Sequence, residues 1–159
     1  GTLVTEQSVT ATATFRKPGA TLFDLLTGQR VGSTDDPFTV NLEPSAGQVL
    51  MALPCREVAL DIRGPKAGSQ GEVVSFALAL RDERKQPVDA VATVQIDVKT
   101  PSGRRSGYSN CYSTGEFRLP LGSNDEIGAW RLTFTGGFPR RTQRRTLKVI
   151  AVPTERLPP

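Results

Sequence analysis

The sequence predicts an all-β protein built from β-sandwich modules. Between residues 72 and 152, successive segments alternate large apolar residues with polar or small ones at a period of two, the spacing of a strand with one buried face. The chain also contains 15 glycines and 12 prolines but no segment with a helical period. This combination is typical of turn-rich all-β folds.

The first predicted module spans residues 1–54 and ends at Pro54, where one strand-like run stops and another begins. In segment 9–15 apolar residues alternate with threonines, which predicts a half-buried strand. Segment 20–26 is apolar on both faces, and a module of this size buries little surface alone, so we expect it to lean on its neighbour. The predicted strands are residues 3–6, 9–15, 20–26, 29–32, 38–42 and 48–53.

The second predicted module spans residues 55–159. Its size of about 100 residues and its seven strand-like segments predict an immunoglobulin-like β-sandwich, preceded by the smaller β-sandwich-type module. Trp130 shares a strand face with Leu132 and Phe134, which places it in the predicted core. The predicted strands are residues 57–63, 72–82, 93–100, 105–112, 116–121, 129–135 and 142–152.

Composition excludes several classes of function. The chain has no histidine and only two cysteines, so the usual general base and the commonest metal ligands are missing. Its carboxylates are scattered over strands and turns, for example at Asp82 and Glu116, and Asp35-Asp36 lacks the spacing of a calcium loop. We therefore expect no catalytic residue, no metal and no cofactor. No run approaches the roughly 18 apolar residues of a membrane span.

The net charge of +4 is concentrated near the C-terminus. A nucleic-acid site would combine such a cluster with stacking aromatic residues, and only Phe138 lies near it, so we expect no nucleic-acid partner. Two interpretations stay open: a solvated hairpin, or a surface that meets an acidic face of a neighbouring domain. The cluster comprises Arg140, Arg141, Arg144, Arg145 and Lys148.

Two stretches of the chain resemble known extracellular modules. Residues 56–152 resemble bacterial macroglobulin-like or immunoglobulin-like domains, in the runs Phe76-Ala-Leu-Ala-Leu-Arg-Asp-Glu-Arg-Lys-Gln-Pro-Val, Val94-Gln-Ile-Asp-Val-Lys-Thr-Pro-Ser-Gly and Asn124-Asp-Glu-Ile-Gly-Ala-Trp-Arg-Leu-Thr. The first module is similar to the small all-β subdomain that closes many barrel glycosidases, in the runs Ala20-Thr-Leu-Phe-Asp-Leu-Leu-Thr-Gly and Phe38-Thr-Val-Asn-Leu-Glu-Pro.

These resemblances imply the C-terminal all-β region of a larger secreted bacterial protein related to glycoside hydrolases. Any catalytic carboxylates would then belong to upstream sequence. We expect a non-catalytic, structural or interaction region that contacts neighbouring domains of its parent protein. Two alternatives stay open: a carbohydrate-binding module, and an adhesion or protein-interaction module.

An extracellular setting suggests two candidate sites. Cys55 and Cys111 are the only thiols and could form a disulfide, the alternative being two separate reduced cysteines. Tyr108 and Tyr112 lie four residues apart, on one face of the predicted strand 105–112, and are candidate carbohydrate contacts. The alternative for them is an ordinary tyrosine pair on an edge strand.

Overall fold

The computed structural model describes residues 8–42 and 47–152, so the predicted strand at residues 3–6 lies outside the described residues. Within these ranges the protein is all-β, with thirteen strands and no helix, which confirms the predicted fold class. It follows that no described helix could cross a membrane. The strands are β1 (Val9–Ala13), β2 (Thr21–Asp24), β3 (Arg30–Ser33), β4 (Phe38–Leu42), β5 (Leu50–Leu53), β6 (Val58–Arg63), β7 (Ala67–Ser69), β8 (Val73–Asp82), β9 (Thr93–Lys99), β10 (Asn110–Ser113), β11 (Gly115–Pro120), β12 (Gly128–Gly136) and β13 (Arg141–Ile150).

Strands β6 to β13 form two sheets that face each other. One has the order β10-β9-β12-β13-β7 and the other the order β11-β8-β6. The ring of Phe134 on β12 lies 5.8 Å from Phe76 on β8 and 6.4 Å from Phe117 on β11, measured between centroids. Aromatic side chains of the two sheets therefore meet in a shared core, as in a β-sandwich.

The core contains the residues that the period-two pattern predicts. Trp130 is only 2% exposed, and its indole N–H donates to the Glu126 carbonyl at 2.7 Å, which satisfies its single donor. The other buried side chains of the alternating segments are Val74, Phe76, Leu78, Leu80, Val94, Ile96, Val98, Phe117, Leu119, Leu121, Leu132, Phe134, Leu147 and Val149.

Two features of the sandwich differ from the sequence prediction. Strand β7 was not expected; it pairs in parallel with β13, and a Cβ at its Gly68 would collide with Val74. Only three residues long, it carries no readable periodicity. Strand β10 begins at Asn110 instead of residue 105, because the preceding residues turn, with the Ser109 N–H donating to the Ser106 carbonyl.

The first predicted module holds a three-stranded sheet, β3-β2-β5, and a two-stranded ribbon, β1-β4. All four residues of β2 are buried, as its apolar character on both faces predicted. The prediction of a half-buried strand at residues 9–15 is wrong for most of β1. This strand pairs with β4 alone among the described strands, and Val9 remains 58% exposed.

Candidate functional site

The most specific structural feature lies where the β3-β2-β5 sheet meets the sandwich. Phe23 on β2 and Phe138, in the turn between β12 and β13, are both buried, with ring centroids 5.4 Å apart and planes tilted by 44°. Phe23 and Leu53 belong to the same cluster of buried residues as the sandwich core. The two predicted modules therefore share a core across their junction, although the boundary at residues 54 and 55 itself stays a prediction.

Backbone hydrogen bonds hold the turn that presents Phe138. The N–H of Val58 donates to the carbonyl of Phe138 and the N–H of Phe138 donates to the carbonyl of Val58, both at 2.7 Å. Gly137 precedes this pair with φ of 85°, and a Cβ there would strike the Val58 carbonyl oxygen. Glycine is required here because it tolerates this conformation and the close approach. The turn is thus fixed to the start of β6.

Arg140 extends the junction on its solvent side. One of its guanidinium nitrogens donates to the Leu25 carbonyl at 2.9 Å. Its aliphatic stem lies against Gly28, where φ is 70° and a Cβ would collide with that stem. The Thr27-Gly28 turn expected from the sequence is therefore present, and it is part of the junction. The sequence did not indicate this contact, because Arg140 and Leu25 are 115 residues apart in the chain.

Asp24 is a buried carboxylate that organises the same turn. One oxygen accepts from the backbone N–H groups of Leu26 and Thr27 at 2.8 Å each, and the other accepts from the Gln48 amide at 2.9 Å. These bonds, the Thr27 N–H first among them, hold the pKa of Asp24 below its usual range. The charged carboxylate therefore stabilises the turn that carries Leu25 towards Arg140.

A cleft of about 320 Å³ opens beside the junction and mixes charges of both signs. Asp35 accepts from the Ser33 hydroxyl at 2.7 Å and from the Gly19 N–H at 2.8 Å, and these bonds lower its pKa. Its carboxylate is already satisfied by the loop it closes, which is a structural role. The cleft is lined by Gly19, Ala20, Thr21, Arg30, Ser33, Asp35, Pro54, Cys55, Arg56 and Glu83.

The candidate disulfide is not present in the structure. Cys55 is buried between β5 and β6, whereas Cys111 is exposed on the edge strand β10, and both are free thiols. Burial raises the pKa of Cys55, and the nearby acids Glu83 and Asp82 raise it further. A raised pKa keeps Cys55 protonated near neutral pH, so it behaves as an inert core residue.

The two candidate tyrosines do not share a strand face. Tyr112 lies opposite Val94 in the β9–β10 pair and packs edge-on against Phe117 at 4.7 Å, so its ring covers the core. Its hydroxyl donates to the Tyr108 carbonyl at 2.8 Å. Tyr108 lies in the turn before β10 and is 38% exposed. Tyr108 is the more exposed of the pair, and its contact with a carbohydrate stays a prediction.

Glu126, in the loop between β11 and β12, is hydrogen-bonded to the turn that follows β9. Glu126 accepts from the Ser102 N–H at 2.9 Å and from the Ser102 hydroxyl at 2.8 Å, and Arg104 lies 3.5 Å away. The Ser102 N–H is the main cause of its lowered pKa. Across the described ranges, no group of three or more acidic or cysteine side chains is arranged to hold a metal ion.

The basic cluster is divided among different surroundings. Arg140 donates to the Leu25 carbonyl at the junction, and Arg141 forms an ion pair with Glu57 at 2.9 Å. Arg144 and Lys148 point outward from β13, alternating with the buried Leu147 and Val149. The expectation of an exposed hairpin holds for the outward-pointing residues, because β12 and β13 form that hairpin.

A scan against protein-family models and a search of curated proteins each returned no match to this chain.

Proposed function

We propose that this chain is a rigid, non-catalytic accessory region of a larger secreted bacterial protein of the glycoside-hydrolase type. Its role is to hold neighbouring domains of the parent protein at a fixed spacing and orientation. The contact between Phe23 and Phe138 carries this proposal, because a buried aromatic pair between two modules restricts their relative motion. The sequence resemblances support the extracellular setting and the glycosidase association.

The strand order supports an immunoglobulin-like topology for the second module. In such sandwiches the first, second, fourth and fifth strands share one sheet, and the third, sixth and seventh share the other. The sheet β11-β8-β6 and the run β9-β12-β13 match this division if β6 is the first strand, β8 the second and β11 the fifth, whereas β10, the fourth, pairs with β9 in the second sheet and β7 is an addition to it. A fold of this kind hosts many functions, so the structural role rests on the contact between Phe23 and Phe138 and not on the topology.

The non-catalytic part of the proposal is tested by direct assay. We expect the chain to release no product from a panel of aryl glycosides, since the carboxylates of Asp24, Asp35 and Glu126 accept loop hydrogen bonds and that of Asp97 pairs with Arg105. Hydrolysis that is lost on substituting one of its acids, for example Asp97→Asn, would overturn the proposal.

The spacer part is tested by a distance measurement between the modules. Spin labels at Gln29→Cys on the first module and Arg118→Cys on β11, both exposed positions, are placed in a Cys111→Ser background. We expect a narrow distance distribution that broadens when Phe138→Ala is added. A broad distribution in the chain without Phe138→Ala would contradict a fixed spacing.

A further inference from the structure

One surface of the sandwich, which takes no part in the junction, carries an excess of positive charge. We define the basic face as the outward side chains of β9, β12 and β13 around Lys99, Arg131, Arg144 and Lys148. Arg131 lies directly opposite Lys99 on one neighbouring strand and Thr146 on the other. Side chains opposite each other in antiparallel strands lie about 5 Å apart, so two cations are adjacent here.

Among the described residues, these cations form no ion pair. The ion pairs found among residues 8–42 and 47–152 do not involve Lys99, Arg131, Arg144 or Lys148. Asp97, the acidic side chain on this face, is engaged by Arg105 at 3.1 Å. Like charges placed directly opposite each other destabilise a sheet, so this arrangement does not favour folding. An anionic ligand would compensate for it.

The basic face forms a shallow groove of about 410 Å³. Thr133 and Asp97 are half-buried at its floor, while Lys99, Arg131 and Arg144 are exposed around it. Guanidinium groups bind carboxylates through two parallel hydrogen bonds, and threonine hydroxyls both donate and accept. The groove therefore combines groups that bind carboxylates with groups that bind hydroxyls.

The composition of the groove distinguishes between polymeric anions. No aromatic side chain points outward from the described strands β9, β12 and β13, so the base-stacking platform of a single-strand nucleic-acid site is missing. Large apolar anchors, which dominate protein interfaces, are missing from the outward positions that line the groove; the exposed Ile150 lies at the end of β13, outside it. We propose that the basic face binds an acidic polysaccharide, whose uronate carboxylates contact Lys99, Arg131 and Arg144 and whose hydroxyls contact Thr133 and Thr146. This proposal does not depend on the spacer role.

The test is binding of polygalacturonate by the full chain, with neutral dextran as the polymer control. We expect binding that weakens steeply as salt rises from about 50 mM to about 200 mM, as for other contacts between cations and a polyanion. Arg131→Gln with Arg144→Gln should weaken it by about tenfold or more at the lower salt. The matched control is Arg84→Gln with Arg118→Gln, which removes the same charge from exposed positions elsewhere and should leave binding nearly unchanged.

Folding of each variant is checked by its melting temperature, and we expect the Arg131 and Arg144 variant to melt no lower than the wild type because like-charge repulsion is relieved. The proposal is overturned if polygalacturonate does not bind, or if the two double variants lose binding equally. It is also overturned if double-stranded DNA or poly-glutamate binds as tightly as polygalacturonate.

Discussion

Phe23 and Phe138 are 115 residues apart in the chain and in contact in the fold, with ring centroids 5.4 Å from each other. Phe23 belongs to the small β3-β2-β5 sheet and Phe138 to the turn between β12 and β13 of the sandwich. Because both rings are buried, the contact joins the two modules through apolar packing rather than through exposed polar links. The account of this chain as a rigid accessory region depends on that contact.

The first prediction concerns the energy of this contact. Phe138→Ala should lower the free energy of unfolding by about 3–5 kcal/mol, because it removes a fully buried aromatic ring. A double-mutant cycle with Phe23→Leu and Phe138→Leu should give a coupling energy of about 0.5–1.5 kcal/mol. Urea titrations followed by Trp130 fluorescence measure both quantities. A coupling energy indistinguishable from zero would show that the rings do not stabilise each other.

The second prediction concerns Gly28 and Arg140. Gly28→Ala should destabilise the fold more than Gly71→Ala does. Both glycines have positive φ, which costs about 1–2 kcal/mol for a residue with a Cβ, but only Gly28 also faces a side chain. The excess should disappear when the two alanine substitutions are compared in an Arg140→Ala background. If Gly28→Ala and Gly71→Ala lowered the stability of the wild-type chain equally, Arg140 would not pack on this turn.

The third prediction concerns acid sensitivity at the Asp24 turn. Since the pKa of Asp24 is lowered in the folded chain, its charge stabilises the fold above the unfolded-state pKa of about 3.9, and this contribution is lost as the pH falls through the folded pKa. Asp24→Asn should therefore be less stable than the wild type at pH 7. The gap should narrow below about pH 4. The measurement is the melting temperature of both proteins from pH 7 to below about pH 4. A difference in melting temperature that stays constant over this pH range would mean that the charge of Asp24 is not the source of the stabilisation.

The fourth prediction separates the two cysteines by reactivity. In the native chain one thiol should react rapidly with a chromogenic disulfide reagent, because Cys111 is exposed and Cys55 is buried with a raised pKa. Cys111→Ser should remove that rapid reaction, whereas Cys55→Ser should leave it. Complete loss of reactivity in the native wild type, with recovery after reduction, would instead indicate a disulfide.

The period-two pattern was sufficient to predict the sandwich and the burial of Trp130, because alternation reports directly which face of a strand is buried. It failed for β1, whose alternation is as regular but whose ribbon has few neighbours to bury it. Local patterns do not reveal how many layers surround a strand. The start of a strand is also not fixed by the pattern: β10 begins five residues later than predicted, so Tyr108 lies in the preceding turn and does not share a strand face with Tyr112.

The sequence predicted that the first module leans on its neighbour, but it did not predict which residues form the junction. Nothing local to Phe138 or Arg140 indicates that their partners lie in residues 23–28, since each contact joins residues 115 positions apart. The basic face was not predicted either, because only Arg144 and Lys148 belong to the cluster seen in the sequence, and strand pairing brings Lys99 and Arg131 beside them. Strand register divides that cluster, turning Arg144 outward while Arg140 and Arg141 are used in contacts.

The central claim, that the two modules form one rigid body, is tested most directly by ¹⁵N relaxation of the backbone amides. We predict that amides of β2, β3 and β5 report the same rotational correlation time as amides of β8, β9 and β12, and that Phe138→Ala shortens the value for the first group alone. A clearly shorter correlation time for β2, β3 and β5 in the wild-type chain would contradict the account, because it would mean that the Phe23 contact does not hold the modules together.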